Sequence, residues 1–422
     1  MRAFDFMLTA SLVGLSFAQS LTGNRVLFLT DAGFSQEKYS IFYSLLKGRG
    51  YEIKLEKATE AELSIIRSDE RLYDHIIFFS PETKVKSKSL AESNILEFIG
   101  LGGNIMMVAD SKVHNATDAP NSWEHIIAHP KASKFISAST SSGRPIVFEG
   151  IAHSISNTQP QIASLLQPSP TAYSSLQSAF GNPGLYGTEI SLVSAHQSRN
   201  NARFTVFGST EMFSDKFLTA PVAEKLLKGG QKSHDVSGNQ AFIEDLIKWT
   251  FQEAGVIKST GFFHSKVGES ERPANYRIKD EIVYSINLTE YRDGKWVAFK
   301  ADDVQLEVTM LDPHIRATLP VVSSVTDKAG NELATYRLKL TLPDVYGVFT
   351  FRVNYRREGL SGILVEDVIP IHPFRHNEFP RFLLQAFPYY ASTFSMSAGF
   401  ILFSTIWLYN RDTGVLAKNK KA

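Results

Sequence analysis

The chain has 422 residues, with 44 basic and 43 acidic side chains and no cysteine. The balanced charge gives no indication of nucleic-acid binding, and the lack of cysteine excludes thiol catalysis, disulfide exchange and zinc–thiolate sites. The length exceeds that of one ordinary hydrophobic core and predicts two folded domains.

The first 18 residues have the pattern of a secretory signal peptide. Arg2 precedes an apolar run over residues 6–15, and Ser16 and Ala18 are the small residues that signal peptidase accepts. The run is too short to span a bilayer. The sequence therefore predicts cleavage after Ala18 and entry of the remaining chain into the secretory pathway.

Residues 19–256 alternate short apolar runs with amphipathic helical patterns. The predicted strands are 26–30, 51–55, 75–80, 104–108 and 203–207, and the predicted helices are capped by Ser35, opened by a capping box over residues 89–92, and run over residues 239–254. Apolar strands of this kind are typical of a sheet buried on both faces. The pattern predicts a doubly wound, mainly parallel α/β sheet, and residues 112–197, rich in Ser, Pro, Asn and Gly, are interpreted as long excursions from it.

Three polar residues, Asp31, Ser80 and Asp110, stand at the carboxyl ends of predicted strands, where such sheets bind ligands. They could hydrogen-bond a sugar in a glycan cleft, although helix capping and turn formation are the commoner roles of short polar residues there. No nucleophile elbow, phosphate loop or dinucleotide fingerprint is present. His125 and His129 have the i,i+4 spacing of metal ligands without an acidic partner at the required spacing, so a solvent-facing pair is favoured and no cofactor is expected.

From residue 257 to residue 371 the apolar period changes to two, which predicts a β-sandwich. The alternating segments begin at Ile282, Leu306, Tyr336 and Phe349, and an Asp293–Gly294 turn indicates a hairpin. Asp302 and Asp303 could be read as a catalytic carboxylate pair or a calcium site. Neighbouring residues on a strand point to opposite faces, so a turn or a domain contact is favoured.

Residues 389–409 carry no charge and are long enough to cross the hydrocarbon of a bilayer as a helix. The preceding residues 372–388 include an aromatic run from Phe379 to Phe387, which predicts a segment that lies on the membrane surface. Residues 410–422 then form a predicted cytoplasmic tail. With the signal peptide, one span predicts a single-pass type I topology in which the large domains are luminal.

Small residues mark one face of the predicted span, since Ala391, Ser395 and Gly399 are spaced four apart. This face fits close packing against another helix, and an ordinary lipid-facing stripe fits equally well. In the tail, Lys418 and Lys420 stand fifth and third from the end, as in a dilysine retrieval signal, although positive-inside charge also explains them.

Two sequons predict N-glycosylation in the lumen, at Asn115 in Asn-Ala-Thr117 and at Asn287 in Asn-Leu-Thr289. Asn287 alternates with the apolar residues Ile286 and Leu288. We therefore expect its side chain to face solvent unless another subunit covers it.

The chain resembles the fungal type of the non-catalytic 48 kDa subunit of the endoplasmic-reticulum oligosaccharyltransferase, from about residue 24 to residue 409. The matching blocks are Val26–Leu29 with Arg49–Tyr51, Tyr73–Ile77, Gly102–Asn104, Gly208–Ser209 with Phe213–Asp215, Ala301–Gln305, Asp312–Pro313 with Arg316, and Arg375–Glu378 followed by Pro388–Tyr390. The last three blocks are the most specific, because neither a generic sandwich nor a membrane span requires them. His314 departs from the pattern, where an aromatic residue is expected.

The resemblance implies a luminal domain like the glutamine-amidotransferase fold, a β-sandwich and one membrane helix in the endoplasmic reticulum membrane. It also implies an essential accessory subunit of the complex that transfers a preassembled glycan from dolichyl diphosphate to Asn in N-x-Ser/Thr. The implied partners are the other subunits, including a polytopic catalytic one, the lipid bilayer and the lipid-linked oligosaccharide. A free-standing luminal hydrolase and a type I cargo receptor or chaperone of the early secretory pathway stay open as alternatives.

Overall fold

The computed structural model describes residues 20–31, 34–58, 63–79, 90–109, 126–131, 133–141, 143–155, 161–170, 172–174, 185–225, 231–292, 294–327, 330–379 and 381–410. It is a mixed α/β structure followed by an apolar helix. Hydrophobic cores in residues 26–251 and 257–371 define what we call the first lobe (residues 20–255) and the second lobe (residues 256–372). The predicted signal peptide and the tail from residue 411 lie outside the described residues.

A seven-stranded sheet runs through the first lobe. In order across the sheet, its strands are Ile162–Leu166 (β10), Val193–Gln197 (β14), Arg203–Phe207 (β15), Asn104–Val108 (β6), His75–Phe79 (β5), Arg25–Thr30 (β1) and Glu52–Lys57 (β2). The strands from β15 to β2 are parallel to one another. Strands β14 and β10 continue the sheet as antiparallel neighbours.

These two antiparallel strands correct the interpretation of residues 112–197 as excursions from the sheet, because that segment supplies both. Strand β14 reads Val-Ser-Ala-His-Gln, and β10 includes Ser164. Such short strands, with polar residues among the apolar ones, lack the continuous apolar run that identified β6. Their place in the sheet depends on partners that the local sequence does not reveal.

Helices pack on both faces of this sheet. They are Ser40–Gly48 (α1), Glu92–Gly100 (α2), Ala138–Ser141 (α3), Asp215–Leu218 (α4) and Asn239–Thr250 (α5). One face, which includes Phe28 and Met106, shares a core with α1 and α5. The opposite face, which includes Leu27 and Ile105, packs against Phe98 of α2. Burial on both faces explains why the central strands β1, β5 and β6 are mainly apolar.

The remaining strands of the first lobe form small two-stranded sheets. They are Ile66–Arg67 (β3), Glu70–Arg71 (β4), Ile126–Ala128 (β7), Ile146–Phe148 (β8), His153–Ser154 (β9), Tyr173–Ser174 (β11), Leu185–Tyr186 (β12), Ile190–Ser191 (β13), Val222–Lys225 (β16) and Gln231–His234 (β17).

The predicted helix caps were wrong. Ser35 precedes a short 3-10 turn and makes no side-chain capping bond. Instead, the distant Asp215 carboxylate accepts the backbone N–H groups of Ser40 and Ile41 at 3.2 and 2.9 Å and so caps α1. Helix α2 begins at Glu92 with Ala91 at the N-cap position, while Ser89 lies outside the described residues.

The second lobe contains two five-stranded sheets. Its strands are Val256–Lys266 (β18), Tyr276–Arg277 (β19), Glu281–Arg292 (β20), Lys295–Ala298 (β21), Gln305–Met310 (β22), Asp312–Thr318 (β23), Val321–Thr326 (β24), Glu332–Thr341 (β25), Gly347–Tyr355 (β26) and Ile363–His372 (β27). One sheet has the order β18-β20-β25-β24 with β21 on β20, and the other has the order β19-β27-β26-β22-β23. Alternating residues from both sheets, such as Tyr284 and Phe351, share one core.

The last element is the apolar helix Phe387–Tyr409 (α6), which follows a 3-10 turn at Leu384–Ala386. It is long and apolar enough to cross a membrane, and none of its side chains is buried within the chain. The helix begins two residues before the predicted span, because Pro388 is tolerated in a first turn, where the backbone N–H has no helical partner.

Candidate functional site

The carboxyl edge of the first-lobe sheet holds one of the three predicted cleft residues. Asp31 follows β1 and is only 8% exposed. Close to it, the ring of Phe34 stacks on Tyr39 with the ring centroids 5.5 Å apart, and both rings pack against Phe79 at the end of β5. Aromatic rings therefore occupy the crevice beside Asp31. Ser80 and Asp110 lie outside the described residues.

The opposite, amino edge of the sheet carries a buried polar row. His75, Asn104 and Arg203 are the first residues of β5, β6 and β15. His75 pairs with Asn104 in the β5–β6 register, and the backbone N–H of Arg203 donates to Asn104 Oδ1 at 3.0 Å. All three side chains are at most 1% exposed. The row therefore ties three parallel strands together at one end.

The hydrogen bonds of this row fix the tautomer of His75. Asn104 Oδ1 accepts from Arg203 and from Gln252 Nε2, so the Asn104 amide nitrogen is the group that faces His75 Nδ1 at 3.2 Å. His75 Nδ1 must then accept, and Nε2–H donates to the Gly23 carbonyl oxygen at 3.1 Å. Burial lowers the pKa of His75 to about 4. The imidazole is thus neutral at physiological pH and acts in structure.

The guanidinium of Arg203 is held by carbonyl groups. It donates to the carbonyl oxygens of Trp249, Ala254 and Gly255 at 2.5 to 2.7 Å, and it lies over the Trp249 ring. Burial lowers the pKa of Arg203 to about 9. The three carbonyls belong to the end of α5 and the segment that enters the second lobe. Arg203 therefore anchors the passage between the lobes.

A short loop of the second lobe completes this contact. We call residues 359–362 the junction loop. Trp249 Nε1–H donates to the Gly359 carbonyl oxygen at 2.9 Å, and Gln197 Nε2–H donates to the Leu360 carbonyl oxygen at 2.9 Å. In the reverse direction, the Gly362 N–H donates to Asn201 Oδ1 at 2.8 Å. The lobes are thus joined by directional hydrogen bonds as well as by the chain.

Two glycines of the junction have left-handed backbones, Gly255 with φ +68° and Gly359 with φ +78°. A Cβ added at Gly255 would lie 2.4 Å from the Gly359 carbonyl oxygen, and one at Gly359 would lie 3.0 Å from the Lys134 backbone carbon. Both positions favour glycine, because the left-handed backbone strains any other residue and the Gly359 and Lys134 backbones lie close to the added Cβ atoms.

Cavities of about 240 and 520 Å³ flank this loop. Their linings include the basic side chains of Lys131, Lys134, Arg199, Arg356 and Arg357. Arg357 also pairs with Asp303 at 2.6 Å, and Asp303 accepts from the Tyr355 hydroxyl at 2.9 Å. The role of Asp303 is therefore a contact within the second lobe.

A second buried histidine lies in the second lobe. His264 contacts the Tyr276 hydroxyl through Nδ1 at 2.8 Å and Asp367 through Nε2 at 2.7 Å. Arg272 also binds Asp367. Burial lowers the pKa of His264. Both ring nitrogens have protein partners, as they do in His75.

Of the predicted histidine pair, His125 lies outside the described residues, and His129 is exposed. Within the described residues, no group of three or more His, Asp or Glu side chains is placed to hold a metal ion.

One sequon falls within the described residues. Asn287 lies in the middle of β20, on the face opposite the buried Ile286 and Leu288, and its Oδ1 accepts from Thr335 Oγ1 at 2.9 Å. Its neighbour on β18 is Gly261, where an added Cβ would meet nothing within 4 Å. Thr289, the third residue of the sequon, is fully buried. Asn115 lies outside the described residues.

The small residues Ala391, Ser395 and Gly399 are all exposed on α6, and an added Cβ at Gly399 would meet nothing within 4 Å. The segment before the helix is exposed as well, with Phe379, Phe382 and Phe387 between 55% and 60% exposed. Lys418 and Lys420 lie outside the described residues.

Sequence reasoning missed the polar row and the junction loop. The signal for the row was a polar residue at the first position of each apolar run, as at His75, Asn104 and Arg203. The predicted cleft residues were all at the carboxyl ends of strands, whereas the row lies at the amino ends. The junction loop carried only the motif Glu-Gly-Leu-Ser-Gly, which is also a common turn composition.

Comparison with known proteins gives consistent matches along the chain. A family model described as "OST48, N-terminal domain" matches residues 17–136 and 114–253, and one described as "OST48 middle domain" matches residues 264–411.

Three relatives share the name dolichyl-diphosphooligosaccharide–protein glycosyltransferase 48 kDa subunit. The one from Arabidopsis thaliana is 34% identical, with 94% of this chain and 96% of the relative covered. The one from Caenorhabditis elegans is 33% identical, with 96% and 95% covered. The one from Danio rerio is 32% identical, with 96% of each chain covered.

Proposed function

The chain belongs to the family of the 48 kDa subunit of dolichyl-diphosphooligosaccharide–protein glycosyltransferase, and from this premise we propose that it assembles and positions the complex without carrying its chemistry. It is a subunit of the oligosaccharyltransferase, the enzyme of protein N-glycosylation. The alternative of a cargo receptor or chaperone has no support among the relatives. The resemblance found in the sequence is confirmed.

A non-catalytic role is supported by the hydrogen bonds that the buried polar side chains make within the chain. His75 and His264 have protein partners on both ring nitrogens, and Arg203 is held by three backbone carbonyls. A general base or nucleophile needs a free lone pair facing a substrate. In the two histidines both ring nitrogens face other groups of the same chain, and the terminal nitrogens of Arg203 face backbone carbonyls, while its Nε has no partner among the described residues.

We also propose the finer architecture expected from the family. The parallel strands β15, β6, β5, β1 and β2 with helices on both faces are compatible with a doubly wound, amidotransferase-like domain over residues 19–256. The two sheets that share a core are compatible with a β-sandwich over residues 257–371. Residues 372–388 then form the juxtamembrane segment, residues 389–409 the membrane span and residues 410–422 the tail.

The proposed location is the endoplasmic reticulum membrane, with one span and both lobes in the lumen. The signal-peptide pattern over residues 1–18 supports this orientation, and Lys418 and Lys420 support retrieval from later compartments. In that orientation, Asn287 and Asn115 are available as glycan acceptors. The open space beside Gly261 leaves room for a glycan at Asn287.

One observation carries the assembly role. Helix α6 buries none of its side chains within the chain, so beyond the stacking of Phe382 on Tyr390 its position depends on lipid or on other helices. In a bilayer, close backbone contact replaces the hydrophobic drive between helices. The face of Ala391, Ser395 and Gly399 offers such contact to another subunit. The proposed neighbours include the catalytic polytopic subunit, which brings the luminal lobes near the lipid-linked oligosaccharide.

Depletion of the chain tests the main proposal. Sequon occupancy of endogenous glycoproteins, measured by mass spectrometry, should fall when the chain is removed and recover with the wild-type chain. Full occupancy in its absence would contradict a role in the complex. Variants of Asp31 such as Asp31→Asn should restore occupancy, unless the carboxyl edge of the sheet binds glycan.

Helix variants test how the chain acts. Ser395→Leu with Gly399→Leu should weaken co-purification of the other subunits and lower occupancy, because the added side chains hold the helices apart. Ser397→Leu is the matched control, since it lies about 200° around the helix from Ser395. Equal effects of both changes would show that this face is not the contact surface.

A further inference from the structure

One end of the second lobe exposes three apolar side chains on neighbouring loops. Leu311, between β22 and β23, is 104% exposed, and Tyr346 and Val345, just before β26, are 67% and 37% exposed. We call these three residues the apolar tip.

Strand register shows that the tip residues are neighbours. Thr309 of β22 pairs with Thr350 of β26, so the end of β22 lies beside the start of β26. A Cβ added at Gly347 would lie 2.5 Å from the Met310 sulfur. Met310 and Gly347 therefore lie side by side. Leu311, which follows Met310, and Tyr346, which precedes Gly347, are consequently at the same end of the sheet.

The chain leaves for α6 from this same end. Gly347 pairs with Ile371 near the end of β27, and His372 is the last residue of that strand. Beyond it, Phe374 lies 5.0 Å from the Arg277 guanidinium and 5.5 Å from the ring of Phe379. Phe382 then stacks on Tyr390 in the first turns of α6. Aromatic contacts therefore join residues 374–379 to the end of the lobe that carries the tip, and Phe382 to the start of the helix.

The turn that joins β22 to β23, where Met310 pairs with Asp312, sets the conformation of Leu311, but its exposed side chain gives no reason within the lobe for a leucine. Its φ is +63°, a left-handed value that disfavours bulky residues, and its side chain is fully exposed to the surroundings. An asparagine or glycine would fit the turn with less strain and no exposed apolar surface. A contact outside the chain accounts for a leucine at this position.

We propose that the apolar tip inserts into the headgroup–acyl boundary of the leaflet that α6 enters from the folded lobes, as a second membrane contact of the chain. The chemistry of the tip suits that boundary. Tyr346 has an amphipathic ring of the kind enriched at membrane interfaces, and Leu311 and Val345 supply aliphatic surface. Beside them, Lys279 and Asp344 form an exposed ion pair at 2.7 Å that can remain in water. The two contacts together would fix the tilt of the second lobe on the bilayer.

The lack of cysteine in the chain makes a direct test practical. Leu311→Cys and Tyr346→Cys give single labelling sites in an otherwise cysteine-free protein. The full-length chain, labelled with an environment-sensitive fluorophore, is reconstituted into phosphatidylcholine vesicles that contain lipids spin-labelled near the headgroup. Leu364→Cys is the matched control, because Leu364 is 54% exposed at the opposite end of the same sheet.

The expected result is a blue-shifted emission at positions 311 and 346, with most of the intensity lost to the spin-labelled lipid and no such loss at position 364. Equal and weak quenching at all three positions would overturn the proposal. The same labels in the purified complex separate lipid from protein. A tip shielded from aqueous iodide, yet not quenched by lipid, is covered by another subunit, and that outcome also overturns the proposal. None of these measurements depends on glycosyl transfer.

Discussion

Among the described residues, the first lobe buries more polar side chains than the second lobe, and the second exposes more large apolar ones. The first lobe buries polar side chains, with His75, Asn104 and Arg203 almost inaccessible at the amino ends of its strands. The second lobe and α6 display apolar ones, among them Leu311 and Val368, which are 104% and 62% exposed. The polar row of the first lobe therefore makes contacts within the chain, while the outer face of the second lobe and α6 leave apolar side chains exposed.

Sheet type explains this difference. A parallel sheet with helices on both faces leaves only its strand ends for polar groups. An antiparallel sheet has one face free, and strand β27 uses that face for Leu364, Val368 and Pro370. We therefore expect substitutions at buried polar positions to lower folding stability strongly. Substitutions at exposed apolar positions should leave it almost unaltered.

The largest effect is expected for Arg203→Met. The change removes three hydrogen bonds from a charged donor, each worth about 1.5–3 kcal/mol, although the carbonyl oxygens of Trp249 and Gly255 keep backbone N–H donors. We expect the free energy of unfolding to fall by about 3–5 kcal/mol. Denaturant titration of the full chain in detergent measures it. Arg352→Met, at an exposed pair with Glu366, is the control and should change stability by at most about 0.5 kcal/mol. Similar losses in both variants would show that the buried arginine contributes no more to stability than the exposed one.

Next in size is Gly255→Ala at the junction. The left-handed backbone and the close Gly359 carbonyl oxygen together should cost about 2–4 kcal/mol. Gly294→Ala is a matched control, because Gly294 has a φ of +79° but open space around it. It should lose only about 1–2 kcal/mol from the backbone. Limited proteolysis near residues 254–258 should accelerate in the first variant and not in the second.

The protonation of His75 should contribute to the pH dependence of the free energy of unfolding. Its pKa is about 4 in the folded chain and 6.5 when unfolded, so the unfolded state binds more protons below pH 6.5 and stability falls as the pH falls. Between pH 7 and pH 5 this amounts to about 2 kcal/mol. Carboxylic acids titrate mostly below this window. The variant His75→Gln should show a correspondingly shallower pH slope, and an unchanged slope would contradict the assigned role.

The smallest effect on folding is expected for Val368→Ser on the outer face of β27. Exposed substitutions of this kind change unfolding free energies by at most about 0.5 kcal/mol. Co-purification of partner subunits is the second measurement. Weaker co-purification with unchanged stability would show that the outer face of β27 contacts a partner. A loss of stability above about 1 kcal/mol would mean that the outer face supports the fold itself.

Much of the strand framework could be predicted from sequence, because continuous apolar runs mark buried parallel strands. The bounds of β6 and β15 agree with the predicted residues 104–108 and 203–207. Strands β10 and β14 could not be predicted, since their short, partly polar sequences become strands only through their sheet partners. The cap of α1 also escaped prediction, because Asp215 is 175 residues from Ser40.

The candidate site was less predictable than the fold. Asp31 stays a prediction as a cleft residue, and the aromatic rings near it come together only in three dimensions. The polar row depends on strand register, and the junction loop depends on the approach of two separate lobes. Neither the polar row nor the junction loop produces a periodic pattern in the sequence. By contrast, α6 was predicted almost to its first residue, because the requirement to span hydrocarbon is local to the segment.

The burial of Thr289 has a consequence for the order of events during biosynthesis. Strand β20 lies between β18 and β25, and once these neighbours are hydrogen-bonded to it the threonine hydroxyl of the sequon cannot be reached from outside. Any glycan on Asn287 must therefore be attached to the nascent chain before the sheet closes. Modification and strand pairing compete in time, so slower folding of the second lobe favours occupancy. A subunit of the glycosylating enzyme would then depend, for its own modification, on enzyme assembled earlier.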